Sequence, residues 1–234
     1  FYSLVTIKNK NIRRLSNYAF QSYKIEKLDL SNNKIEEVET YAFASIKGLK
    51  HLQKSLNKVE TIKFSNRDLS SLETLLLDGN LFTAIQSYMF ENLVGLVHLD
   101  LSFNQIEYLD SKAFAERKRV RYINLASNRL KQVNFDGLNH LKILDLRQNR
   151  DFTTIYNDSF LALVELEELH LEKNNIVKIE NNTFRKTLKM LKSLYIDNNN
   201  LVSLESGMFS GLKNLLNLKL SRNQIDILLP GQLD

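Results

Sequence analysis

The chain has 234 residues, of which 43% are hydrophobic, enough apolar material for a substantial core. It contains no Cys, which excludes a disulfide framework or a thiolate metal site within this segment. The formal charge of +5 is spread along the chain and does not demand nucleic acid, and no apolar run approaches the roughly 18–20 residues of a membrane span.

Starting at Phe1, with neither an initiator Met nor a signal segment, the sequence reads as a piece of a longer polypeptide. From there a single pattern, L-x-x-L-x-L-x-x-N-x-I, runs to the end. In chain order it appears as LVTIKNKNI, IEKLDLSNNKI, LKHLQKSLNKV, LETLLLDGNLF, LVHLDLSFNQI, VRYINLASNRL, LKILDLRQNRDF, LEELHLEKNNI, LKSLYIDNNNL and LLNLKLSRNQI. The third Leu-type slot falls at Ile7, Leu30, Lys54, Leu77, Leu101, Leu125, Leu146, Leu171, Ile196 and Leu220, so the period is close to 24. We number these copies coils 1–10. Asn follows three places later in every coil but the first, where Lys10 stands.

The L-x-L segment has the period of a strand with both leucines facing inward. One such strand cannot bury its apolar face alone, but stacked copies build a continuous core. The Asn suits a tight inward turn, where its amide can bond N–H and C=O groups of adjacent coils. A second landmark lies between strands, an apolar residue followed five places later by Phe. It occurs at Leu15/Phe20, Val38/Phe43, Ile85/Phe90, Leu109/Phe114, Ile155/Phe160, Ile179/Phe184 and Leu204/Phe209, and these rings are expected to plug the core from the convex side.

On these motifs the whole chain resembles the leucine-rich repeat family. The 24-residue period with its Phe is similar to the typical extracellular class of Toll-type receptor ectodomains and secreted insect immune proteins. One departure is the near absence of Pro, which family members often place at the start of the convex segment; here there is only Pro230. The resemblance implies an α/β leucine-rich repeat horseshoe: a parallel concave sheet of about ten short strands and irregular or 3-10 convex segments. Residues 1–234 then form one array with both caps missing.

The metre breaks twice. In coil 3, Lys54 replaces the core leucine and the Phe slot falls on Arg67, with Phe64 three residues early. Burying an unpaired ammonium is costly, so Lys54 is expected to snorkel, stem inside and head at the turn, in an intact but distorted strand. Coil 6 is 21 residues long with Leu138 in the Phe slot, and coil 7 carries an extra residue in NRDFTTI.

No catalytic constellation emerges. His51 and His98 are two coils apart, about 10 Å at one strand spacing per coil, too far to share a metal. No Gly-rich phosphate loop and no Ser-His-Asp set is present, so no enzyme activity and no cofactor is expected. What remains is surface. The concave residues flanking the leucines collect His98, Asp100, Phe103, Arg121, Tyr122, Asp145, Arg147, His170 and Tyr195, the residue types that anchor protein interfaces. A second candidate is basic and suits an anion: Arg117, Lys118 and Arg119, with Arg185, Lys186 and Lys189 three coils on. Sequons at Asn157 and Asn181 lie two residues after the convex apolar slot and suit glycans on an exterior protein.

The resemblance implies a secreted or cell-surface recognition module in innate immunity or developmental signalling, with a protein ligand or co-receptor bound through the concave or lateral face. Homo- or heterodimers are compatible with it, and neither nucleic acid nor membrane insertion is expected. Two rival readings stay open: an intracellular leucine-rich repeat scaffold, and a structural arc that pairs with a copy of itself.

Overall fold

The computed structural model describes residues 1–64, 69–115, 118–184 and 187–233. Ten parallel strands form one sheet in strictly sequential order, from Tyr2–Thr6 to Asn217–Lys219. The register is fixed by the repeat: Leu28, Leu52, Leu75, Leu99, Ile123, Leu144, Leu169, Leu194 and Leu218 stack in one line. Every pair joins the same slot in adjacent coils, as a solenoid of equal turns requires.

The described residues contain no α-helix; the return segments are turns. Six of them also carry two-residue strands, which pair as Arg14–Leu15 with Glu37–Val38, Ala84–Ile85 with Tyr108–Leu109, and Thr154–Ile155 with Lys178–Ile179. Among the described residues no such ribbon runs through coils 3 and 6, nor through coils 9 and 10.

The Phe slots plug the core as the spacing implies. Phe20 and Phe43 stack at 5.9 Å, Phe90 and Phe114 at 5.7 Å, and Phe184 and Phe209 at 6.1 Å between ring centroids. In the irregular coils Phe64 and Phe135 are buried. Arg67 lies outside the described residues.

Each slot asparagine closes two coils at once. In Asn104, Oδ1 accepts from Phe82 N at 3.1 Å, while Nδ2 donates to the carbonyls of Leu101 at 2.9 Å and Leu77 at 3.1 Å. The same triangle recurs from Asn33 to Asn223. At the extra residue of coil 7 it adapts: Asn174 Oδ1 takes Asn149 N instead of a residue two places beyond. A stacked amide thus satisfies backbone groups that the turn would otherwise bury unpaired.

Lys54 departs from expectation. Its side chain is 0% exposed, and among the described residues Nζ has no hydrogen-bond partner. It does not snorkel, because its backbone is held on three sides. Lys54 N donates to Leu76 O at 2.9 Å, and Lys54 O accepts from Asn57 at 3.1 Å and Asn80 at 2.9 Å. The strand His51–Gln53 stays regular, so the side chain points where leucine points in the sister coils. Among the described residues the ammonium's one favourable contact is the Phe43 ring, 5.9 Å from Nζ. Burial pushes the Lys54 amine down to about 7.

Candidate concave recognition site

The short strands place alternate side chains on the concave surface, and the parallel register brings equivalent residues of successive coils side by side. His98 faces Tyr122, with ring centroids 4.2 Å apart. One column over, His170 stacks on Tyr195 at 4.7 Å, and Lys219 Nζ lies 5.0 Å over the Tyr195 ring. The sheet has therefore assembled two aromatic pairs from residues some 24 positions apart, on a backbone that cannot readily move.

The two histidines are tuned in opposite directions. Half-buried His98 is pushed below its ordinary value by loss of water, which Asp100 opposes only in part. His170 also loses water, but hydrogen bonds from its ring nitrogens to Glu172 Oε1 at 3.1 Å and Glu168 Oε1 at 2.7 Å outweigh that loss and raise it. At neutral pH the first pair is thus an uncharged stacking surface, and the second tends toward a cation clamped between carboxylates.

The remaining concave candidates separate on inspection. Asp100 accepts Ser102 N at 2.8 Å and Asn124 Nδ2 at 3.0 Å, ending its strand with an Asx turn while keeping one face to solvent. Asp145 does the same for Arg147 N but is buried, and the Arg147 guanidinium covers its carboxylate at 2.5 Å. Of that pair only exposed Arg147 can meet a partner. Arg121 folds back onto its own turn, donating to Lys118 O at 2.8 Å. Phe103 stands on the rim, 65% exposed. Lys219 and Glu172, which complete the His170 cluster, share columns with the concave candidates but carry no aromatic signal of their own.

On the flank, inter-coil ion pairs alternate in sign: Lys50 with Glu26 at 3.3 Å, then Lys142 and Lys192 with Glu167 at 3.0 and 2.6 Å. The alternation breaks at Val97 and Arg121. Among the described residues none of Lys118, Arg119, Arg121 and Lys189 has a carboxylate within salt-bridge distance. Arg117, Arg185 and Lys186 lie outside the described residues. Asn157 and Asn181 are both exposed on successive coils. Among the described residues no group of three or more His, Cys, Asp or Glu could hold a metal ion, and no helix is long and apolar enough to cross a membrane.

The repeat geometry agrees with sequence comparison. Residues 70–130, 129–176 and 189–234 match the profile described as leucine rich repeat, and residues 2–92 match the BspA type leucine rich repeat region. The chain belongs to the leucine-rich repeat family. No curated protein sequence matches this leucine-rich repeat chain. Among solved structures it is similar to the TLR13 complex with single-stranded RNA, at 25% identity and a TM-score of 0.90, over 99% of this chain and 35% of that one. It also shares its fold with the Drosophila Toll–Spätzle complex in glycosylated form, at 18% identity and a TM-score of 0.71, over 95% of this chain and 36% of that one. The array thus spans about a third of the chains it matches, and its fold is that of Toll-type receptor ectodomains.

Proposed function

We propose that this leucine-rich repeat array is a non-enzymatic recognition module of a secreted or receptor ectodomain in innate immunity or cell-surface signalling, binding a protein through its concave face. The observation that carries the reading is the pair of stacked clusters, His98/Tyr122 and His170/Tyr195/Lys219. Tyr, His and Arg held on a rigid sheet present large contact area with little side-chain entropy to lose on binding. The likeness to Toll–Spätzle, a receptor bound to a protein, supports the same direction. Exposed Asn157 and Asn181 support glycosylation and an exterior location.

The test is affinity capture from extracellular fluid with the array as bait, alongside a Tyr122→Ala/Tyr195→Ala variant. A ligand retained by the native array and released by the variant supports the reading. Equal capture by both moves the site to the convex or lateral surface. Intact mass of the array secreted from eukaryotic cells, before and after glycosidase, tests the sequons; unmodified Asn157 and Asn181 would count against the exterior.

One observation favours a second reading. Stacked rings flanked by Lys219 and Arg147 are also what unpaired bases need, and the 25%-identical TLR13 structure holds single-stranded RNA. Anisotropy of a labelled single-stranded oligonucleotide separates the two. Binding that weakens steeply with salt and is lost in the tyrosine double variant would favour the nucleic acid.

A further inference from the structure

We propose that the concave rim at coils 3–5 is a docking notch for a partner-protein segment that presents an aliphatic or aromatic side chain beside a lysine or arginine. The proposal rests on the concave-face reading above and names the chemistry of its partner.

The backbone supplies the first reason. Two places after the core slot, every coil turns through a left-handed residue, with φ between 54° and 63°. Asn, Gly and other polar residues fill this column except at Leu56 and Phe103. Any residue with a Cβ is disfavoured there relative to glycine. Here neither residue recovers that by joining the core, since Leu56 is 54% and Phe103 65% exposed. Leu56 and Phe103 are thus the two exposed apolar side chains of a turn column otherwise filled by glycine and polar residues.

Gly79 stands between them. Leu56 N donates to Asp78 O at 2.8 Å and Gly79 N to Ser102 O at 3.0 Å, so Leu56, Gly79 and Phe103 occupy consecutive coils. A Cβ at Gly79 would meet Leu56 Cδ2 at 2.6 Å, because the leucine leans across the vacant side-chain position. Leu56 therefore reaches over Gly79 toward Phe103, and the glycine adds no side chain of its own to that stretch of the rim. The two exposed apolar groups form a shallow step on which one aliphatic or aromatic side chain can pack. Leu76, the lone aliphatic of its concave column, lies half-buried three residues before the glycine.

Charge selects what accompanies that side chain. Asp78 is held by Ser55 Oγ at 2.5 Å and Asp100 by Ser102 Oγ at 2.6 Å, both neutral donors. Among the described residues neither carboxylate has a cation within salt-bridge distance, whereas Asp29 has Lys8 at 2.7 Å and Asp145 has Arg147. The neighbouring His98 is held below its ordinary value by burial and gives little compensation at neutral pH. Two uncompensated carboxylates beside an apolar notch complement a segment in which a cation adjoins an apolar residue.

The test is to pan a phage-displayed random dodecapeptide library on the 234-residue chain and measure the enriched peptides by fluorescence anisotropy. Enriched peptides are expected to share an apolar residue next to Lys or Arg. Phe103→Ser is expected to weaken them about tenfold. Asp100→Asn, which keeps the acceptor for the Ser102 turn, should weaken them and flatten their salt dependence. Gly79→Asn, a residue that tolerates the left-handed backbone but whose Cβ pushes Leu56 aside, should weaken binding as well. Thermal unfolding of each variant confirms the fold, and Phe103→Ser, altering an exposed side chain, stands as the variant of record if Gly79→Asn unfolds. Failure to enrich such peptides, or affinities unmoved by Phe103→Ser, overturns the notch. Peptides indifferent to Phe103 but lost with Tyr122→Ala/Tyr195→Ala would overturn the notch and leave the concave-face reading standing; indifference to all of these would overturn both. Dimerisation in light scattering that Phe103→Ser removes would make a second copy of this chain the occupant, and overturn the proposal of a different partner.

Discussion

Lys54 shows how firmly the repeat governs each residue it contains. Its ordinary value is near 10.5, and burial pushes it to about 7. Between these pH values the unfolded chain holds a proton that the folded chain has released, so stability rises with pH from 7 to 10.5. Below 7 both states hold the proton and this contribution is flat. At 1.36 kcal/mol per pH unit, the difference amounts to about 5 kcal/mol between the two limits. We therefore expect Lys54→Leu to raise the midpoint of urea unfolding at pH 7 and to flatten the climb between pH 7 and 9 that the native array shows. A native curve already flat in that range would refute the buried neutral amine. The slot asparagine is the opposite case, a polar residue with every bond made. Asn104→Ala strands Phe82 N and the carbonyls of Leu77 and Leu101 in the core, and is expected to destabilise by about 3 kcal/mol. Asn223→Ala, in a half-buried triangle of the last coil, should cost less in the same denaturant measurement.

At the level of elements, the phenylalanine plugs do for the convex side what the leucines do for the sheet. Phe114→Ala removes a ring that is 1% exposed and stacked on Phe90, at a cost of about 3–5 kcal/mol. Because each coil touches only its neighbours, amide exchange in that variant should accelerate in coils 4–6 and leave coils 8–10 nearly unchanged; a uniform acceleration would mean the array opens as one unit. The strands and plugs were legible in the sequence because each slot repeats, and ten aligned copies fix both register and facing. The two-residue ribbons were not, since two residues carry no period. The pose of Lys54 was not either. Periodicity places a Cα and its facing, but whether a long side chain can reach water depends on how tightly Asn57 and Asn80 pin its backbone. The concave candidates were legible as columns. Their division into free and occupied was not, because Asp145 and Asp100 sit in the same slot, and only the identity of the residue two places on, Arg147 against Ser102, decides which keeps its charge exposed.

Over the whole molecule, stability is a sum of coil energies and nearest-neighbour interfaces, so a local flaw and an open end have the same kind of effect. In the 234-residue chain the outer coils leave apolar surface uncovered: Leu4 is 59% and Leu216 79% exposed, and Leu218 and Leu220 are only partly buried. Coil 3 has both of its neighbours, but its core slot holds a buried amine, and the lateral ribbons are interrupted there. Opening free energies measured by native-state amide exchange at pH 7 should therefore be lowest at coils 1 and 10, highest around coils 7–9, and dip a second time at coil 3. The dip, read at amides such as Leu56 N and Val59 N that bridge to coil 4, is expected to shrink at pH 9, where opening gains less from protonating the amine, and to vanish in Lys54→Leu. The outer minima should persist in both conditions, because raising the pH or restoring a leucine at coil 3 covers nothing at the ends. A profile in which all three minima move together would show that the coils are coupled far beyond their neighbours, and that the rigid concave sheet behaves as a single cooperative plate.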